Sequence, residues 1–245
     1  MKSLSLLEAL PFLFGVMTAV AAHAQLESDV LATPAGDIRI TFIGHGSLMF
    51  TFNGKIIHVD PYSILADYSK LPKADLILIT HEHQDHLDLA AIQAVRTTST
   101  TVVLTPACAN KLPAGIAMKN GDVRTEMGFK IEAVPAYNIL HKRDSGQPFH
   151  PKGSGNGYVI TLGDKRVYVA GDTENTPEMK ALKKIDVAFL PMNLPYTMTP
   201  EMVTDAAKAL MPKILYPYHF GETDTSKITE LLKDTAIDVR IRKMK

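Results

Sequence analysis

Residues 76–86 read Leu-Ile-Leu-Ile-Thr-His-Glu-His-Gln-Asp-His. The first five are apolar or β-branched, a run of the length and character of a buried strand, and the chain then turns abruptly polar. In extended backbone, residues two apart face the same way. His81, His83 and Asp85 therefore converge from one side, while His86 starts a turn toward a second point. Neutral imidazoles and a carboxylate suit zinc or a similar divalent ion, and a strand end gives them a rigid base. The plainer alternative is a polar, His-rich loop ahead of a helix. Three His and an Asp within six residues, directly behind an apolar strand, weigh against it, because each needs a solvated or liganded place at the edge of a core.

The stretch Thr80-His81-Glu82-His83-Gln84-Asp85-His86 resembles the H-x-H-x-D-H signature of the metallo-β-lactamase-fold hydrolases. Further segments extend the resemblance: ITFIGHGS at 40–47, His58-Val59-Asp60-Pro61, Ala170-Gly171-Asp172-Thr173 and Pro217-Tyr218-His219-Phe220-Gly221. Together they are similar to the branch that holds the ascorbate-6-phosphate-lactonase-like proteins and the phospholipase-D-type phosphodiesterases. The likeness implies an α/β fold, the αβ/βα four-layer sandwich, with two mixed sheets packed face to face and helices outside. It also implies a ligand set. His81 and His83 would hold one metal, Asp85, His86 and His219 the other, and Asp172 would bridge them. Asp60 would accept an N–H from a ligand His, and His45 would lie beside the substrate or behind a ligand.

Two close divalent ions share a water and lower its pKa, so the implied nucleophile is a metal-bound hydroxide, with Asp85 able to orient it or take its proton. The expected cofactor is Zn2+, one or two per chain, with Mn2+ or Fe2+ as alternatives. The resemblance favours a phosphodiester or lactone substrate, a small molecule for which an anionic group is one of the options. An iron-dependent oxidoreductase of the same fold, or an exported metal-binding protein without turnover, are the other readings. Lys152 is a candidate contact for the anion or a solvated loop lysine.

One position departs from the family pattern. Where a His is common after the strand at 129–134, this chain has Asn138, a poor zinc ligand beside imidazole. Either a third ligand comes from elsewhere, with His141 and His150 as the candidates, or the first site is weak. His150 is preferred, because Phe149 can anchor the loop and Pro151 restricts it, whereas His141 lies next to Lys142, Arg143 and Asp144.

The chain has 245 residues with 26 Lys+Arg against 26 Asp+Glu and 46% hydrophobic residues. That length buries one sizeable core, and balanced charge argues against a nucleic-acid partner, the only basic run being a short tail at 240–245. One cysteine, Cys108, excludes a disulfide framework and is expected to pack as a small apolar residue. Lys2, the apolar run at 10–22 and Ala22-His23-Ala24 read as a signal peptide over 1–24, too short to span a membrane, so the mature protein is expected to be periplasmic or secreted. A linker over 25–36 and a single domain over 37–245 follow. Within the domain the patterns predict strands at 38–43, 48–52, 55–59, 76–80, 101–105, 129–134, 157–162, 166–170, 187–190, 213–216 and 238–241. Helices are predicted at 87–95, after Thr199-Pro200, and at 226–233. The irregular stretch 138–156 between strands has the marks of a functional loop.

Overall fold

A computed structural model describes residues 26–245. The signal peptide read at 1–24 lies outside the described residues. Fourteen strands form two seven-stranded sheets. The first contains β1 (Ser28–Leu31), β2 (Ile38–Gly44), β3 (Ser47–Phe52), β4 (Lys55–Val59), β5 (Leu76–Leu78), β6 (Thr101–Leu104) and β7 (Ile116–Ala117), in that spatial order. The second contains β8 (Val123–Glu126), β9 (Phe129–Ala136), β10 (Gly155–Leu162), β11 (Lys165–Val169), β12 (Val187–Pro191), β13 (Ile214–Tyr218) and β14 (Asp238–Val239). In both sheets an antiparallel meander of four strands passes into parallel pairing. Parallel neighbours need crossovers, and these carry α1 (Leu89–Val95), α2 (Pro106–Ala109), α3 (Pro177–Ala181), α4 (Pro200–Leu210) and α5 (Ser226–Leu232). This is the expected αβ/βα sandwich.

β5 shows why the motif's strand is apolar throughout. Leu76 and Leu78 face the second sheet, in the cluster of Phe50, Ile57 and Tyr158, while Ile77 and Ile79 face outward onto Ile92 and Val95 of α1. Both faces are buried, so the run does not alternate. Between the sheets, Phe189 stacks on Tyr216 at 4.9 Å and meets Phe50 edge-on at 5.9 Å, pairings worth about 0.5–1.5 kcal/mol each beyond their buried area. Cys108 is buried, and burial pushes its thiol up to about 11, as its reading as a packing residue requires.

Several sequence readings need correction. The stretch read as a linker over 25–36 carries a strand within its described residues. Ser28–Leu31 pair with β2, and Asp29 takes a two-pronged contact from Arg242 at 2.8 and 2.9 Å. The basic tail is therefore not a free patch, since Arg240 also reaches Asp29 and Lys245 reaches Glu222. The first helix begins at Leu89 rather than residue 87, because Asp88 caps it by accepting from the N–H groups of Ala90 and Ala91. β7, β8, α2 and α3 are too short to show a periodic pattern and were not read.

His58 is buried with Nε2 3.0 Å from the Pro72 carbonyl and Nδ1 unpaired. Burial pulls its pKa down to about 4. The unfolded chain accepts this proton near 6.5, the folded chain only near 4, so stability is complete above the first value and declines as pH falls through the interval. The loss amounts to up to about 3 kcal/mol. Urea unfolding of metal-free protein at about pH 7.5 and about pH 5 should show the loss in wild type and a smaller one in His58→Gln. Equal losses in both would remove His58 from the account.

Candidate metal centre

The motif loop leaves the end of β5 as expected. After His83 the backbone closes a turn, with the N–H groups of His86 and Leu87 donating to the His83 carbonyl at 3.1 and 2.7 Å, and this places the His86 ring between those of His81, 4.1 Å away, and His219. Two groups of rings result. His81, His83 and His150 meet one another with ring centroids 4.6, 4.9 and 5.0 Å apart. His86 stacks on His219 at 5.3 Å, and Asp85 Oδ2 lies 3.6 Å from the Nε2 of each. Asp172 stands between them, its carboxylate oxygens 3.3 Å from His150 Nε2, 3.5 Å from His86 Nε2 and His219 Nε2, and 3.9 Å from His81 Nε2.

The donor set fits a pair of divalent ions. The Nε2 atoms of His81, His86, His150 and His219 and Oδ1 of Asp172 are buried without a hydrogen-bond partner, yet they converge on one space. Burying that many unpaired polar atoms would be costly unless something else ligates them. Most of the opposite ring nitrogens are held. Asp60, wholly buried, lies 2.8 Å from His86 Nδ1 and accepts from Thr80 N and Oγ1 at 2.8 and 2.6 Å. Thr80 Oγ1, having given its hydrogen to Asp60, accepts from His81 Nδ1 at 3.0 Å. One carboxylate thus orients two imidazoles, and each ring's Nε2 lone pair points to the centre.

His150 is held by Asn138, whose Oδ1 accepts from both the backbone N–H and Nδ1 of His150 at 2.8 Å. The residue that departs from the family pattern is the one that aims its replacement. Asn138 is fixed in turn by donating to Glu174 and to the Tyr196 carbonyl. Buried Glu174 also accepts the N–H groups of Ile139, Leu140 and His141, which pins the root of the loop. His141 is turned to this carboxylate, Nδ1 2.9 Å from Oε1. Sequence reasoning missed Thr80, Asn138 as a positioning group and Glu174. The only cue was the position of Thr80 and Glu174 beside recognised motifs.

His45 lies with Nε2 3.1 Å from Asp85 Oδ2 and its ring 3.7 Å from that of His219. His45, Asp60 and His219 all have left-handed backbone, with φ of 50°, 44° and 46°, which bends the chain at the strand ends where these side chains reach the centre. Space is equally tight. A Cβ on Gly46 would come within 2.8 Å of His86 Cε1, and one on Gly171, at φ 65°, within 3.0 Å of Thr80 Cβ and the Asn156 carbonyl. Lys152 is placed elsewhere. Its ammonium pairs with Glu178 at 2.7 Å and sits over the Tyr137 ring, so it is a surface contact and not part of the centre.

The electrostatics follow from burial and crowding. Burial and neighbouring His86 hold the His81 pKa well below its ordinary value. Burial opposes a charge on His86, but the carboxylates of Asp172 and Asp60 outweigh it and push that ring up to about 9. Asp172 is desolvated too, yet the imidazoles of His219 and His86 hold it well below the usual carboxylate range. A metal must therefore displace a proton from the centre to bind.

Asp85, Asp172, His83 and His219 open on a cavity of about 460 Å³ that Phe149, Tyr196 and Arg143 also line. A larger groove of about 810 Å³ lies near Met49, Leu65 and Leu71, but none of the converging ligands faces it.

The chain matches the beta-lactamase superfamily domain over residues 39–219. It is 31% identical over 194 residues to a UPF0173 metal-dependent hydrolase of Pelotomaculum thermopropionicum, covering 75% of this chain and 85% of the relative. A solved structure from Parabacteroides distasonis, assigned as a metal-dependent hydrolase, is 51% identical with a TM-score of 0.87, covering 90% of this chain and all of that one. A metallo hydrolase from Ignicoccus hospitalis is 26% identical with a TM-score of 0.69, covering 84% and 95%. The strand-end histidines, the intervening Asp172 and these matches together assign the chain to the beta-lactamase superfamily, among the UPF0173 metal-dependent hydrolases.

Proposed function

We propose that this protein hydrolyses a phosphodiester or lactone with the aid of two divalent ions, zinc foremost. His81, His83 and His150 would hold one and Asp85, His86 and His219 the other, with Asp172 shared. The observation that carries the reading is the set of buried, unpaired ligand atoms on both sides of one carboxylate. Such a pair, when bound, supplies Lewis acidity and a water acidified toward neutral pH.

The protein's own groups do the rest. Asp85 is the more exposed of the two central carboxylates, with Oδ2 facing the cavity and steadied by His45. It can orient a water in the cavity by accepting its hydrogen bond. Asp60 and Asn138 keep the rings in place, so little reorganisation is needed during the reaction. The shared aspartate is what the family resemblance associates with phosphodiesters, lactones or thioesters, and the branch resemblance favours the first two.

Metal-stripped protein reconstituted with Zn2+, Mn2+ or Fe2+ should take up to two equivalents. It should then hydrolyse bis(4-nitrophenyl) phosphate or members of a lactone panel, and lose that activity on chelation. Undiminished hydrolysis by metal-free protein would sink the proposal. Dioxygen consumption by the iron-loaded form in place of hydrolysis would move the protein to the oxidoreductase reading.

A further inference from the structure

Three side chains lie in series along the cavity wall. Tyr196 meets Phe149 edge to face at 5.1 Å, and the guanidinium carbon of Arg143 sits over the Phe149 ring, 5.0 Å from its centre. All three line the same cavity as Asp85 and Asp172. Arg143 belongs to an ordered turn. Its N–H donates to the Gln147 carbonyl and its own carbonyl accepts from Gly146, both at 2.8 Å, and the turn rises from the root that Glu174 pins.

A loop arginine is ordinarily a solvated charge. This one is exposed as well, but an aromatic face fixes it at the cavity, and no carboxylate occupies its donors. Among the described residues its guanidinium makes one long contact, 3.5 Å to the Phe149 carbonyl, and no ion pair with a carboxylate. The carboxylates that share the cavity are already engaged, Asp85 by His45 and Asp172 by His150. A guanidinium stays charged and offers a planar fork that fits phosphoryl and carboxylate oxygens.

We propose that Arg143 recognises an anionic oxygen group of the substrate, phosphoryl or carboxylate, while Phe149 and Tyr196 pack against the adjoining carbon skeleton. Arg143 is then the residue that selects an acidic substrate over a neutral one. The inference rests on the functional reading above for the place of the scissile bond, but the anion contact itself requires no turnover.

Binding therefore tests it separately. Zinc-loaded wild type, Arg143→Ala and Arg143→Lys would be titrated calorimetrically with phenylphosphonate, with benzoate and with neutral diethyl phenylphosphonate. In Arg143→Ala at least one anion should bind about tenfold or more weakly, with Arg143→Lys recovering part of the loss and the neutral ester unaffected. The anion with the larger loss identifies the phosphoryl or carboxylate source. The side chain is exposed, so thermal unfolding should be unchanged and a folding defect is distinguishable. The proposal is overturned if wild type binds neither anion, if the alanine variant loses less than about threefold, or if the neutral ester weakens in parallel. Should hydrolysis fail while this binding pattern holds, the functional reading falls and the anion site stands.

Discussion

Asp172→Ala should lower hydrolysis by on the order of a thousandfold and release at least one metal ion per chain. Its two oxygens reach the Nε2 atoms of His86 and His219 on one side and of His81 and His150 on the other. No other carboxylate among the described residues spans both groups. Its removal takes the negative charge from a space where four imidazoles converge, so the two ions would repel each other without a shared ligand. Asp172→Asn keeps the shape and loses the charge, and it should be nearly as inactive. Metal analysis and steady-state rates on the same preparations decide the matter. If the alanine variant kept two ions and activity within tenfold of wild type, the shared-ligand role would be lost.

The second large effect is expected at His150. His150→Ala should reduce metal content and activity about as much as His83→Ala, on the order of a hundredfold or more, while His141→Ala should leave metal content intact. The two histidines are only nine positions apart, yet the fold treats them differently. His150 Nε2 lies 3.3 Å from Asp172 among the converging rings of His81 and His83, whereas His141 Nδ1 is turned to Glu174 at 2.9 Å. Asn138→Leu, which keeps the branching of the side chain but cannot accept from His150 Nδ1, should weaken metal binding by about 10–100-fold with all ligands still present. The opposite ranking of the two histidine variants, measured by metal content, would refute the assignment.

Much of this centre was legible in the chain because its parts are local. Residues 76–86 carry an apolar run and four ligand-type side chains within a span that strand geometry alone can interpret. Asp172 and His219 stand at strand ends of the same kind, and the turn residues between strands mark the meanders of both sheets. Strand and helix order followed from periodicity. Where the pattern was only two to four residues long, as in Ile116–Ala117 or Ser28–Leu31, periodicity had too little to act on, and pairing with a neighbouring strand decided the structure.

Other features depended on contacts between distant residues. The choice of His150 over His141 could be argued from flanking residues, but its geometry comes from β9 and β10. Their pairing, Ala136 opposite Gly155, brings the two ends of the intervening loop together and sets Asn138 beside His150. The role of Asn138 was hidden for the same reason. In sequence it is a missing ligand, and only the fold shows the hydrogen bond it makes. Charge alone left Lys152 open between an anion contact and a solvated lysine, because it does not tell which lysine or arginine a loop will carry outward to Glu178 and which it will lay on Phe149 at the cavity. Local sequence specified which residues could ligate a metal, through side-chain chemistry and strand periodicity. Tertiary structure decided which of them meet and what holds their rings, because that depends on the pairing of strand ends that lie tens of residues apart in the chain.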